Sequence, residues 1–174
     1  MVEAQEREDV NRGMRMLWVI WAGMFGSLLI YIFICHHLGE GFKNAAGSDF
    51  SIGLLRAILF GLGGVALLMA YFLRRSMLAV RAVLPKSKPI GRMIGWNTAP
   101  FLVKYAAAVI ISLAFSESMG IYGFVLFLLG GGFETLYIFI VVSALAMVFY
   151  RPKQEELEKL AVDMEKRMES APEM

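Results

Sequence analysis

Residues 116–125 read SESMGIYGFV and set one carboxyl, Glu117, beside Ser116, Ser118 and Tyr122 inside one of the most apolar stretches of the chain. Hydrocarbon surroundings disfavour the charged form of a carboxyl, so such a group can take up and release a proton, as a proton carrier must. The hydroxyls of Ser118 and Tyr122, and that of Ser116, are placed to hydrogen-bond this carboxyl or the one on a neighbouring copy. A charged residue at the centre of a bilayer helix costs about 2.5 to 3.5 kcal/mol on insertion scales, so Glu117 is expected to be shielded, paired or functional. The plainer alternative is a protonated carboxyl that bonds across a helix interface, worth about 0.6 to 2 kcal/mol, and moves no ion.

Other residues that could do chemistry are weaker candidates. His36, His37 and Glu40 would offer a metal two histidines, but adjacent helical residues point about 100° apart and no second ligand cluster follows, so a polar interfacial cap is expected and no metal. Arg56 is expected to snorkel towards an interface, with Asp49 or Glu134 as candidate partners. The GLGG at 61–64 lies inside an apolar run and cannot cradle a nucleotide. With no Ser-His-Asp set and no zinc spacing, neither an enzyme nor a cofactor is expected. The single cysteine, Cys35, excludes an internal disulfide and reads as a small buried hydrophobe.

The elements that must hold these residues are set by composition. At 58% hydrophobic and 18% charged, the chain is too apolar for an ordinary soluble domain of its size and reads as an integral membrane protein. Its formal charge of +2 gives no basic field for nucleic acid. A crossing takes roughly 20 apolar residues. The first runs from Leu17 to Cys35, LWVIWAGMFGSLLIYIFIC, behind an acidic segment over 1–16 that lacks the features of a cleavable signal. The second begins near Ile52, crosses over about 52–74 and continues towards Leu84.

Arg74, Arg75, Arg81, Lys86, Lys88 and Arg92 crowd the connection between the second and third apolar segments, whereas the first loop has Lys43 alone. With Arg12 and Arg15 before the first segment and Arg151 and Lys153 after the last, this pattern predicts an even number of crossings and cytoplasmic termini.

From Phe101 to Tyr150 two partitions compete. A turn at SESMG would leave Glu117 in water and give only a dozen uncharged residues from Tyr105 to Ser116, about 18 Å of helix against a core of about 30 Å. A turn at GGGFET allows full segments over about 104–129 and 133–150, with Glu134 suited to a first helical turn, and places Glu117 near mid-membrane. Length favours the second. The segment over 151–174 opens with Pro152 and predicts a helix whose apolar stripe is Leu157, Leu160, Ala161, Met164 and Met168. That stripe is expected to pack on its own chain or a copy, with a cytoplasmic protein partner as the alternative.

The stretch ESMGIYGFVLFLL resembles the second-helix ion-binding motif of the c subunits (proteolipid subunits) of F-type and V/A-type ATP synthases, in which a glutamate precedes a small or hydroxyl residue and then I/L-Y-G and an apolar run. The resemblance covers about 52–129, under half the chain. It implies a hairpin with a cytoplasmic loop, Glu117 as the ion-binding carboxyl with Ser118 and Tyr122 in support, and assembly into a homo-oligomer such as a ring. It also implies close helix packing, for which the second segment offers Ala57, Gly61, Gly63, Gly64, Ala66 and Ala70, although small-xxx-small pairs at 57/61 and 66/70 serve any tight helix contact. The chain departs from the family by an extra helix at each end, a basic loop farther from Glu117, and the bulky Phe115, Phe124 and Phe127.

The expected molecule is thus an all-α, four-pass protein of the cell (inner) membrane, with a c-subunit-like central hairpin and a cytoplasmic C-terminal helix. Proton binding or translocation at Glu117 is the leading expectation. A non-transporting structural oligomer and a small proton-coupled transporter are the alternatives.

Overall fold

The computed structural model describes residues 2–39, 52–78 and 100–170, with side chains over 10–37, 52–78 and 101–163. Five helices fold there and, among the described residues, no strand: α1 Val2–Leu38, α2 Ile52–Leu78, α3 Pro100–Leu128, α4 Phe133–Phe149 and α5 Gln154–Ser170. Lys43, Asp49, Glu40 and the basic positions Arg81, Lys86, Lys88 and Arg92 lie outside the described residues.

Among the described residues, three helical stretches are long and apolar enough to cross a membrane: Val10–His37, Ile52–Leu78 and Phe101–Leu128. The 17 residues of α4 amount to about 26 Å of helix, the low end of a span, and a bend of 47° joins α4 to α5. The outward faces are what a bilayer would solvate: Val19, Leu29 and Phe33 on α1, Leu54, Leu68 and Phe72 on α2, and Val141, Leu145 and Phe149 on α4 are all exposed.

The third helix runs unbroken through Ser116–Gly120, and the chain reverses at Gly130–Gly132. Two glycines make that turn. Gly130 has φ +96°, a region that L side chains rarely adopt. A Cβ on Gly131 would come within 2.6 Å of the Leu126 carbonyl oxygen, which belongs to the backbone and cannot yield. Gly132 then caps α4 without a side-chain bond, leaving the acidic Glu134 to favour the positive end of the helix dipole.

α3 is the axis on which the other helices pack. Cross-contacts fix directions: Gly13 lies against Leu102 and Tyr31 against Phe124, so α1 runs parallel to α3. Gly63 meets Met119 and Gly123 meets Phe139, while Arg74 reaches Tyr150, so α2 and α4 run antiparallel to α3. The result is an up-down-up-down bundle. Its core includes Leu17, Leu28, Leu102, Leu113, Leu136 and Met147, each essentially buried.

Candidate functional site

Glu117 faces α1. Ser27 Oγ lies 2.5 Å and Tyr31 Oη 3.2 Å from Glu117 Oε1. Ser27 and Tyr31 are one turn apart and therefore share a face of α1. The Tyr31 ring is held by stacking on Phe124, with centroids 5.3 Å apart. Leu28 closes on Gly120, where a Cβ would come within 2.5 Å of Leu28 Cδ2, so the two helices approach tightly just beyond the carboxyl.

The Ser27 hydroxyl has one hydrogen and two short neighbours, since its Oγ also lies 2.6 Å from the Met24 carbonyl oxygen. Two arrangements satisfy it. With Glu117 ionised, Ser27 and Tyr31 donate to Oε1. With Glu117 protonated, the carboxyl can donate to Ser27 Oγ while Ser27 donates to Met24 O. The geometry therefore accommodates the carboxyl in either state, using neutral partners only.

Depth follows from helix length. Glu117 is 13 residues from Gly130, about 20 Å of helix, and 17 from Pro100, about 26 Å. The neighbouring hydroxyls are occupied elsewhere. Ser112 donates to Ala108 O, Ser116 to Ser112 O and Ser143 to Ser116 O, all with fully buried side chains. The first two are bonds back to the preceding turn of α3, which satisfy a hydroxyl inside an apolar helix, and the third crosses from α4 to α3.

The expected ligands differ from those in the structure. Ser118 donates to Phe115 O at 2.7 Å, and Tyr122 packs beside Met119 and Leu59 in a separate cluster with Phe139. Within the chain, the hydroxyls that meet the Glu117 carboxyl are those of Ser27 and Tyr31. A signal for them was present: they are the hydroxyl residues of the first apolar segment, set one turn apart.

The small residues of α2 also sort differently from the spacing argument. Ala70 is fully buried, but Gly63 makes the closest contact, against the Met119 sulfur. Ala66 and Gly64 are half-buried, and Ala57 and Gly61 are exposed, lining a groove towards α4. Arg56 reaches Thr135 Oγ1 at 3.4 Å rather than Glu134. The His36 ring packs on Phe133 and the His37 ring on Phe33, so the two histidines diverge.

A second polar constellation lies where α2 ends and α5 begins. Arg74, 9% exposed at its side chain, donates to Tyr150 O at 3.0 Å and to Glu156 Oε2 at 2.6 Å, with its guanidinium 5.5 Å above the Tyr150 ring. Tyr105 Oη donates to Lys153 O and accepts from Lys153 N, at 2.9 and 2.7 Å. Leu157 and Leu160 are buried against the bundle, so the first residues of the α5 stripe are covered by their own chain. Met164 and Met168 lie outside the described side chains.

No family model matches the chain, and neither a curated protein nor a solved structure matches it.

Proposed function

We propose that this is a four-crossing membrane protein whose Glu117 binds and releases a proton at mid-membrane, held by Ser27 and Tyr31. The observation that carries the reading is a half-buried carboxyl midway along an apolar helix whose Oε1 is met by two neutral hydroxyls, able to donate to a carboxylate or, for Ser27, to accept from a protonated carboxyl. In this reading α4 is the fourth crossing and the termini and α5 are cytoplasmic, an arrangement that the distribution of basic residues supports.

The antiparallel α2–α3 pair supports a c-subunit-like hairpin, with Glu117 on its second arm. Its ligands, however, come from α1 of the same chain, so proton binding needs no neighbouring copy to complete the site. Homo-oligomer assembly, with a ring as one form, would then act on access to Glu117 rather than on its ligation.

A second reading has its own support. Glu117 joins α1 to α3 across 90 residues of sequence, which is what a structural clasp would do. Proton flux into vesicles containing the purified protein separates the two. Carrier function predicts flux that Glu117→Gln removes while the folded protein is retained. The clasp predicts no flux in either protein.

A further inference from the structure

The groove between α2 and α4, at the end of the bundle marked by the Gly130–Gly132 turn, has a volume of about 470 Å³, within the range of small-ligand sites. It is amphipathic along its depth. Arg56 and Thr135 lie near its mouth, four residues into α2 and two into α4, about 3 to 6 Å below the helix ends. About one turn deeper the lining is Phe60, Gly61, Ile138 and Phe139, with Phe60 edge-on to Phe139 at 5.1 Å. Gly61 keeps the α2 wall low, since a Cβ there would meet nothing within 4 Å.

The cation at the mouth lacks an anion among the described residues. Arg56 is exposed, and its bond to Thr135 Oγ1 is long and to a neutral group. Glu134, one residue away, does not line the groove. A guanidinium presents five N–H donors in a fork that matches a phosphate. We propose that this groove binds an anionic phospholipid, the phosphate on Arg56 and an acyl chain laid along Ala57, Gly61 and Ile138.

The depth profile selects a lipid over a free phosphate, which would leave the apolar part unfilled. Charge selects it over a two-fold contact with a second copy, which would bring two Arg56 guanidiniums together. The inference rests on the membrane reading given above.

The test is native mass spectrometry of the full chain in neutral detergent, titrated with phosphatidylglycerol or phosphatidylcholine. The wild type should retain phosphatidylglycerol about five- to tenfold more tightly than Arg56→Gln does, with Arg56→Lys keeping most of the difference. Ala57→Leu, which fills the groove, should weaken retention of phosphatidylglycerol, and glycerol phosphate alone should not displace it. Equal retention by Arg56→Gln, or displacement by glycerol phosphate, would overturn the proposal. So would efficient cross-linking of two copies through Ala57→Cys. Alkaline carbonate extraction of cell membranes tests the membrane reading separately, because release of the chain would refute that reading whatever the lipid result.

Discussion

The two polar constellations of this bundle are built on opposite plans. Where α2, α4 and α5 meet, Arg74 binds a carboxylate, a backbone carbonyl and an aromatic face at once. In the middle, Glu117 is met by two hydroxyls and, among the described residues, is joined to no cation. An ion pair is locked in one charge state, because neutralising either member leaves the other poorly solvated and unpaired. A carboxyl held by hydroxyls can stay bonded in both states, because a hydroxyl donates and accepts. The first arrangement suits a permanent fastening of α5, and the second suits a group whose charge changes.

The largest effect should come from breaking the fastening. Arg74→Ala removes the hydrogen bonds to the Tyr150 carbonyl and to Glu156, which keeps only Lys153 at 3.7 Å, and is expected to cost about 3 kcal/mol, read as a lowered unfolding midpoint in detergent. The joint change of Arg74→Met with Glu156→Leu should recover most of it, since apolar groups of similar size leave no charge behind. A single change as mild as Glu117→Gln would erase the contrast between the sites.

Next comes the frame they share. Gly123→Leu would force side-chain atoms into Phe139 and towards the Leu136 carbonyl, where even a Cβ would lie 2.5 and 3.4 Å away. About 2 kcal/mol of stability should be lost by overpacking the α3–α4 contact, measurable by the same unfolding assay. Ser27→Ala removes one hydrogen bond and should cost about 1 kcal/mol. Glu117→Gln should cost least, under about 0.5 kcal/mol, because an amide oxygen still accepts from Ser27 and Tyr31. Loss of proton flux without loss of stability is the signature that distinguishes a carrier from a clasp.

Much of this was legible in the sequence because local signals were strong. The glycines at 130–132 and the arithmetic of span length placed the α3–α4 turn and put Glu117 in the interior of a long helix. Its ligands were harder to find. A helix that is apolar nearly all round gives little directional signal, so in α1 the pair of hydroxyls at Ser27 and Tyr31 was the one mark of the face that would meet α3. The same difficulty applies to α2, where two small-residue stripes were available. One, through Gly63 and Ala70, packs on α3, while the other, through Ala57 and Gly61, is left on the groove. Spacing alone cannot rank them, because the choice depends on how Met119 and Tyr122 fill the facing surface. Arg56 illustrates a smaller gap: its approach to Thr135 depends on the angle between α2 and α4, which no local pattern encodes.

The central claim is that Glu117 is a protonatable carboxyl inside the bilayer, and carbodiimide modification in native membranes tests it most directly. An apolar carbodiimide reacts with protonated carboxyls in apolar surroundings, whereas a water-soluble one reports carboxyls in contact with water. The account predicts that the apolar reagent modifies Glu117 near neutral pH, that the water-soluble reagent does not, and that Glu117→Gln removes the modification. Absence of reaction with the apolar reagent at every pH, or equal reaction with the water-soluble one, would contradict it.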